Sequence, residues 1–173
     1  MENSPTKQGL SRKILRPRTG DLADLSGDSV PVRSLRPEDL ADTVRIDRKI
    51  TGKDRKDYYR RKFDEALKES AIRVSLVAEV HPRPVGFVMA RVDFGGYGQT
   101  EPVAVIDTIG VDPDFAGRGI GKALLSQLLA NLAALRVERV ETQVAPENFD
   151  LLGFFYHCGF GPSQNLAFHK HVL

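Results

Sequence analysis

Residues 111–124 read Val-Asp-Pro-Asp-Phe-Ala-Gly-Arg-Gly-Ile-Gly-Lys-Ala-Leu, a pattern typical of a strand end, a turn and the glycine-rich start of a helix. Gly117, Gly119 and Gly121 let the backbone approach a ligand closely, because glycine carries no Cβ. The helix that follows directs unpaired N–H groups toward the same point. The stretch therefore predicts a site for an anionic group such as the pyrophosphate of a nucleotide.

Two common phosphate motifs are disfavoured by the spacing of these glycines. A P-loop requires Gly, four residues, then Gly-Lys and Ser or Thr. Here Ala116 stands at the position of the first glycine and Ala123 at the position of the hydroxyl. A dinucleotide fingerprint has the spacing G-x-G-x-x-G near the start of a βαβ unit. The present glycines are spaced differently and lie two thirds of the way along the chain.

The remaining pattern, Ala116-Gly-Arg-Gly-Ile-Gly121, resembles the acetyl-CoA signature Gln/Arg-x-x-Gly-x-Gly/Ala of the GCN5-related N-acetyltransferase (GNAT) family, with alanine at its first position. Upstream, Ile106-Asp-Thr-Ile-Gly-Val-Asp-Pro113 is similar to the family's central strand and its exit. Downstream, Asn148 and then residues 151–160, Leu-Leu-Gly-Phe-Phe-Tyr-His-Cys-Gly-Phe, are similar to its last helix. The order of the three segments and the distances between them agree with the family.

Length and composition fit one compact domain. The chain has 173 residues, and the resemblance runs from about residue 30 to the C-terminus. Residues 1–28 are polar and are predicted to be a flexible tail, with residues 29–173 as the acetyltransferase domain. A net charge of +2 indicates no strong attraction to nucleic acid, and no apolar run is long enough to span a membrane. The single cysteine and the absence of a signal-like start predict a cytoplasmic protein.

Periodicity places the secondary structure coarsely. Apolar residues at helical spacing predict helices over 37–50, around 59–67, along the leucines of 124–135, and over 147–158. Runs rich in β-branched residues predict strands over 30–35, 72–80, 85–92, 103–111, 137–144 and 166–172. The GNAT resemblance implies an α/β (α+β) fold, a single domain whose mixed, mostly antiparallel central sheet is flanked by helices.

The resemblance also assigns residues to acetyl-CoA. It implies that backbone groups of the central strand bind the pantetheine arm and that the glycine turn binds the pyrophosphate. Asn148 is implied to orient the cofactor or a water molecule, and Phe155 to pack on the pantetheine. Arg118 and Lys122 have an alternative interpretation as solvated cations, and Asn148 as a helix cap. The assigned residues are Ile109, Gly110, Val111, Gly117, Arg118, Gly119, Gly121, Lys122, Asn148 and Phe155.

Acetyl transfer to an amine requires a base, because a primary amine is largely protonated near neutral pH. Asp107 is the only acid within strand 103–111. A charge in such an apolar strand is costly unless it is satisfied or functional, so Asp107 is the candidate base, with a structural hydrogen-bonding role as the alternative. Glu141 and Glu79 are weaker candidates, because a solvent-facing strand position explains each of them.

The departing thiolate benefits from an acid, which in the family is usually a tyrosine four residues before the Gly-Phe pair. Here Phe155 occupies that position relative to Gly159, and Tyr156 lies one residue later, about 100° around the helix. Tyr156 is the candidate acid, and the alternative is a thiolate that leaves without help. His169 and His171 alternate along the chain, but no third ligand is evident, so no metal is predicted.

The resemblance thus implies direct transfer of acetyl from acetyl-CoA to a primary amine. The acceptor site would lie between residues 40–69 and 94–101, with a protein or peptide α-amine or lysine preferred to a small-molecule amine. Two alternatives stay open. Ala116 and the displaced tyrosine are compatible with a CoA-binding sensor without turnover, and an interaction domain would bind no CoA. The expected partner is the amine substrate, without nucleic acid or membrane, and a homodimer is compatible with the sequence.

Overall fold

The computed structural model describes residues 30–70, 72–80, 82–95, 98 and 100–172. The predicted tail, residues 1–28, lies outside this part of the chain. The described elements are, in order, β1 (Val32–Ser34), α1 (Leu40–Thr51), α2 (Lys56–Asp64), β2 (Leu76–Val80), β3 (Arg83–Asp93), β4 (Val103–Val111), α3 (Ile120–Ala134), β5 (Arg139–Thr142) and α4 (Phe149–His157).

The strands form one five-stranded sheet in the order β1-β2-β3-β4-β5. The first three pairings are antiparallel and only β4–β5 is parallel. The parallel pair requires a crossover connection, which α3 supplies. The prediction of a mixed, mostly antiparallel sheet flanked by helices is confirmed.

Two hydrophobic clusters cover the two faces of the sheet. On one face, α1 and α2 bury apolar side chains against β2 and β3, namely Leu35, Ile46, Tyr59, Phe63, Val77, Phe87 and Met89. On the other face, α3 and α4 cover the larger cluster, which includes Leu76, Val88, Ala104, Ile106, Ile120, Leu124, Leu128, Leu132 and Phe155. The predicted leucine stripe of α3 faces this cluster, except that Leu135 lies beyond the helix end and is 46% exposed.

Local sequence signals set the ends of α1. A short turn, Pro37–Asp39, precedes the helix, and the Asp39 carboxylate accepts the Arg36 amide N–H at 2.7 Å. The helix ends at Gly52, whose φ of +69° is the left-handed conformation that glycine adopts without a steric cost. Its amide donates to the Arg48 carbonyl at 2.8 Å. The predicted helix over 37–50 is therefore confirmed with a shift at its start.

The predicted strand over 166–172 is wrong. These residues belong to no strand in the described part of the chain, and Leu166, Phe168 and Val172 are more than four-fifths exposed. Alternating apolar residues favour an extended backbone, but a strand also needs a partner to pair its amide and carbonyl groups. The sheet therefore ends at β5, which is shorter than the predicted 137–144. Within the described residues, no helix has the length and apolarity needed to cross a membrane.

Candidate active site

The candidate site lies along the edge of β4 that is unpaired beyond the end of β5. The two strands pair from Val103↔Arg139 to Ile106↔Thr142, and there β5 ends. The Thr142 hydroxyl donates to the Ile106 carbonyl at 3.0 Å at this point. Strand β4 continues to Val111 and pairs only with β3 there, within the described residues. Its second edge over 107–111 is therefore open to a ligand, and this is where the predicted pantetheine contacts Ile109, Gly110 and Val111 lie.

A bulge in β4 places Asp107. Met89 of β3 faces Thr108 and the next residue, Ala90, faces Ile106, so Asp107 has no opposite residue in β3. Such an extra residue kinks the strand and redirects the side chain. The sequence prediction located this acid on the right strand without detecting the bulge, because a bulge leaves no signal in the alternation of apolar residues.

Asp107 is paired with two cations. Its carboxylate accepts from the Arg91 guanidinium, and the Lys62 ammonium lies 3.5 Å from its other oxygen. The side chain is 18% exposed, so the ion pairs satisfy a mostly buried charge. The structural interpretation of Asp107 therefore has direct support, and its role as a base stays a prediction.

A cavity of about 310 Å³ lies beside Asp107, on the face of the sheet that α1 and α2 cover. Its charged lining residues are four acids, Glu65, Glu69, Asp93 and Asp107, and two bases, Lys62 and Arg91. The excess of acids gives the cavity a negative charge. A cavity of this kind favours a cationic guest such as an ammonium group.

The glycine-rich turn lies at the far end of β4. Gly117 and Gly119 have φ values of +74° and +73°, and Gly119 is the N-cap of α3. The first intrahelical bond runs from Ala123 to the Gly119 carbonyl at 2.9 Å. The N–H groups of the first turn thus have no intrahelical acceptor, which makes this end of the helix suited to an anion. A Cβ at Gly117 or Gly119 would meet no heavy atom of the described structure within 4 Å, so the space in front of the turn is open.

Gly121 has a different reason to be glycine. A Cβ at this position would lie 3.2 Å from the Phe154 ring and 3.7 Å from a methyl group of Val111. The absence of a side chain therefore allows the start of α3, the end of β4 and the helix α4 to meet. The amide of Gly121 is still part of the open first turn.

The two predicted phosphate cations differ in environment. The Arg118 guanidinium stacks over the Phe115 ring at 4.9 Å from its centre and is exposed. Lys122 is half-buried and close to Cys158, where burial raises the pKa of the thiol and the Lys122 charge opposes that rise. Both residues lie at the turn, and their contacts with a phosphate stay predictions.

Helix α4 contributes three of the predicted residues, in three different environments. The side-chain Oδ1 of Asn148 accepts a hydrogen bond from the Leu151 amide N–H at 3.2 Å, so Asn148 caps the helix. Phe155 is 4% exposed and packs between the rings of Phe154 and Phe160. Tyr156 is 59% exposed. Phe155 thus belongs to the core, and its contact with a cofactor and the acid role of Tyr156 stay predictions.

A buried polar group was missed by sequence reasoning. Asp47 of α1 is 3% exposed and accepts from the Tyr59 hydroxyl and the Arg55 Nε, each at 2.9 Å. The Tyr59 oxygen also lies 3.5 Å from the Thr108 hydroxyl, next to the bulge. Burial raises the pKa of Tyr59, so its hydroxyl stays protonated. The network connects α1 and α2 to β4.

A second buried acid fixes the strand exit. Asp112 is 1% exposed and is bonded by Arg45 at 2.6 Å and by Lys49 at 2.9 Å. Its carboxylate also accepts the Asp114 amide at 3.1 Å and so caps the short turn Pro113–Phe115. Helix α1 is thereby attached to the start of the glycine-rich turn.

The model of the acetyltransferase (GNAT) family matches residues 40–160. The chain belongs to the GNAT family. A curated relative, an uncharacterized N-acetyltransferase of Methanocaldococcus jannaschii, is 38% identical over 84 residues, which cover 49% of this chain and 37% of the relative. The match thus spans little more than a third of that relative's length.

Solved structures share the GNAT fold. The aminoglycoside N-acetyltransferase AAC(6')-Iy in complex with CoA has a TM-score of 0.69 and 19% identity, and the similarity covers 83% of this chain and 95% of that one. The ribosomal-protein-S18-alanine N-acetyltransferase of Escherichia coli has a TM-score of 0.64 and 19% identity, with 78% and 79% covered. A transcriptional regulator of Bacillus halodurans has a TM-score of 0.68 and 20% identity, with 82% and 99% covered. At these identities the similarity shows the fold.

Proposed function

We propose that this GNAT protein transfers the acetyl group of acetyl-CoA to a primary amine by direct attack. The observation that carries the proposal is the open edge of β4 over 107–111, which leads to a glycine turn with free space beside Gly117 and Gly119. A strand edge suits the amide groups of a pantetheine arm, and a helix N-terminus suits a pyrophosphate. The family assignment and the CoA complex of a neighbour with the same fold support this choice of co-substrate.

The proposed cofactor contacts come mainly from the backbone. Ile109, Gly110 and Val111 would bond the pantetheine arm along the open edge. The amides of the turn at 117–121 would bind the pyrophosphate, with Arg118 and Lys122 adding positive charge beside it. Bound acetyl-CoA supplies an activated thioester, and the protein supplies position and charge. Because main-chain groups hold the phosphates, Ala116 at the first signature position removes one side-chain contact and leaves the rest of the site intact.

The acceptor is proposed to reach the bulge through the acidic cavity. An ammonium group there would lie among Glu65, Glu69, Asp93 and Asp107, whose charge exceeds that of Lys62 and Arg91. Asp107 would take the amine proton directly or through a water molecule.

The proposed acceptor is an amine of a protein or peptide, and a small-molecule amine is the second candidate. One solved structure with the same fold is a ribosomal-protein-S18-alanine N-acetyltransferase, and a second is an aminoglycoside N-acetyltransferase. The cavity of about 310 Å³ has room for a side chain or a chain terminus rather than for a whole peptide. This size supports an acceptor that presents one amine to the bulge.

The test is an assay of free CoA release with purified protein, acetyl-CoA and a panel of amines. The panel contains a peptide with a free α-amine, the same peptide with a blocked α-amine and one lysine, a polyamine and an aminoglycoside. Release with one class identifies the acceptor. Tight acetyl-CoA binding with no release of CoA in the presence of any amine would contradict the proposal of an enzyme and support a CoA-binding sensor.

Asp107→Asn tests the base, with Glu141→Gln as the matched control on the neighbouring strand. Loss of a general base lowers turnover by about 10²–10⁴-fold. We expect that loss for Asp107→Asn with acetyl-CoA affinity retained, and near-normal turnover for Glu141→Gln, which only removes an ion pair with Arg139. Equal turnover of both variants would contradict the assignment of Asp107.

A further inference from the structure

Lys62 of α2 lines the acidic cavity and is the only lysine to do so within the described part of the chain. Its side chain is 20% exposed. The Lys62 ammonium lies 3.5 Å from one carboxylate oxygen of Asp107 and 2.8 Å from one of Glu65. The chain therefore holds a primary amine of its own beside the carboxylate that is the proposed base.

An acceptor amine would have to come close to the position of the Lys62 ammonium. In the proposed function, an ammonium group reaches the bulge through this cavity and loses a proton to Asp107, while the open edge of β4 binds the pantetheine arm. Lys62 meets the first requirement without any acceptor, because its nitrogen already faces Asp107. Its four-carbon side chain is flexible, so the nitrogen can approach the edge of β4 while the backbone of α2 stays in place.

We propose that Lys62 is itself acetylated when acetyl-CoA is bound and no acceptor occupies the cavity. The inference rests on the proposed function, because it uses the same thioester and the same base. Its own support is the ion pair between Lys62 and Asp107, which no other lysine of the described residues shares. The modification is intramolecular, so it requires no second copy of the chain and no further reactant.

The step transfers the acetyl group and releases a proton. Asp107 takes a proton from the Lys62 ammonium, and the freed lone pair of Nζ attacks the carbonyl carbon of the thioester. A carbon–nitrogen bond forms, the carbon–sulfur bond breaks, and the sulfur leaves as a thiolate. The second proton that Nζ loses goes to this thiolate and gives the thiol of CoA, and Asp107 passes the first proton to solvent. The product is Nζ-acetylated Lys62, and neither an oxidant nor a reductant is needed.

A base is needed because Lys62 is an ammonium in the resting protein. Burial alone would lower the pKa of Lys62, but the hydrogen bond to Glu65 and the charge of Asp107 raise it overall. A protonated amine has no lone pair for attack, so contact with acetyl-CoA is not sufficient for the modification. The reaction should therefore depend on Asp107 rather than on the exposure of the lysine.

Acetylation of Lys62 would close the site to acceptors. It removes the charge of Lys62 and with it the ion pairs to Asp107 and Glu65. Arg91 is then the remaining base in the cavity lining. The added acetyl group also takes up part of the cavity of about 310 Å³ beside the bulge, which an acceptor amine must enter. A protein supplied with acetyl-CoA but no acceptor would thus inactivate itself.

Lys68 provides a matched comparison within the same chain. It belongs to the turn Glu65–Glu69 that follows α2, and its ammonium pairs with Asp64 at 2.6 Å. Its side chain is 74% exposed and is not part of the cavity lining. Acetyl-CoA that reacts without catalysis would modify the exposed Lys68 at least as fast as Lys62. Faster acetylation of Lys62 would therefore report catalysis at the site.

The test is incubation of the full chain with acetyl-CoA and no acceptor, with the acetylated fractions of Lys62 and Lys68 followed over time by peptide mass spectrometry. We expect Lys62 to be acetylated faster than Lys68, at a rate that is independent of protein concentration. Asp107→Asn should lower the rate at Lys62 by about 10²–10⁴-fold, the usual effect of removing a general base, and should leave the rate at Lys68 unchanged.

Release of free CoA in the absence of an acceptor gives a second readout. In the wild type it should stop at a single equivalent per chain, because each chain has one Lys62. In Lys62→Arg it should be absent, because the guanidinium keeps the positive charge but stays protonated and cannot attack.

Equal rates at Lys62 and Lys68 would overturn the inference, and so would a rate at Lys62 that Asp107→Asn leaves unchanged or that rises with protein concentration. If Lys62 stays unmodified while an amine of the panel is acetylated, the inference fails and the proposed function stands. If the chain binds no acetyl-CoA, both fail.

Discussion

Replacing Gly86 by alanine should destabilise the protein by displacing the start of α3. Gly86 lies in β3, opposite Val111, with its missing side chain directed at the helix. A Cβ there would lie 2.8 Å from the Ile120 Cγ2 and 3.1 Å from the Leu124 Cδ1, with the Gly110 carbonyl at 3.3 Å. The first distance is shorter than non-bonded contacts of Cβ atoms in proteins, so an atom must move. Ile120 is β-branched, so its methyl group cannot rotate away freely.

The magnitude follows from the cost of overpacking. Extra carbon in a well-packed core costs about 1–3 kcal/mol. For a protein of this size, each kcal/mol lowers Tm by about 2–4 °C, so the expected decrease is roughly 2–12 °C. Ile120 directly follows Gly119, so the displaced helix start should also move the amides of the turn and weaken acetyl-CoA binding.

The assay is urea denaturation of the wild type, Gly86→Ala and a matched control, Gly153→Ala. Gly153 is exposed in α4, and a Cβ there would meet nothing within 4 Å. The control should gain about 0.5–1 kcal/mol, because alanine is the better helix former. Glycine-to-alanine substitution should thus lower the free energy of unfolding at position 86 and raise it at position 153. A Gly86→Ala protein as stable as the wild type, with unchanged acetyl-CoA affinity, would refute the packing argument.

Two further predictions concern the buried acids. Burial alone would raise the pKa of Asp112, but the hydrogen bonds from Lys49 and Arg45 lower it overall. The stability that these bonds contribute is therefore present above the ordinary aspartate pKa of about 3.9 and is lost as the pH falls below it. Asp112→Asn should therefore be less stable than the wild type at neutral pH, and the difference between their urea midpoints should shrink toward acid pH; a difference independent of pH would contradict this. Tyr59→Phe removes the bond to Asp47 and should cost about 1 kcal/mol by the same denaturation. It should also lower turnover more than acetyl-CoA affinity, and a variant identical to the wild type in both would show that the network is dispensable.

The sequence was sufficient for the elements that carry strong local signals. The strand exit at Asp112, the turn at 117–121 and the leucine-rich helix were predicted in the correct order, because proline, glycine and a 3.6-residue period each act over a few neighbouring residues. The resemblance to the GNAT family implied ligand contacts along the backbone of β4, but it gave no position for the separation of β4 from β5. The structure places it at Thr142, where β5 ends.

Features that depend on distant pairs were not predictable. Asp107 was identified as an unusual acid, but its partners Arg91 and Lys62 are 16 and 45 residues away in the chain. Asp47 gave no signal, because a single acid in an amphipathic helix ordinarily faces solvent. Residues 166–172 have the alternation of a strand, and local alternation does not determine whether a partner strand is present.

The most direct test of the acetyltransferase account is a calorimetric titration with acetyl-CoA of the wild type, Gly119→Glu and Gly52→Glu, with NADH and ATP as control ligands. Both glycines have a left-handed φ and open space beside them, so glutamate imposes the same backbone strain at either position. Only Gly119 lies in the turn, where a carboxylate would occupy the place of the pyrophosphate. The account predicts saturable acetyl-CoA binding to the wild type and to Gly52→Glu, none to Gly119→Glu, and no heat from the control ligands. A wild type that does not bind acetyl-CoA, or a Gly119→Glu variant that binds it as tightly as the wild type, would contradict the account.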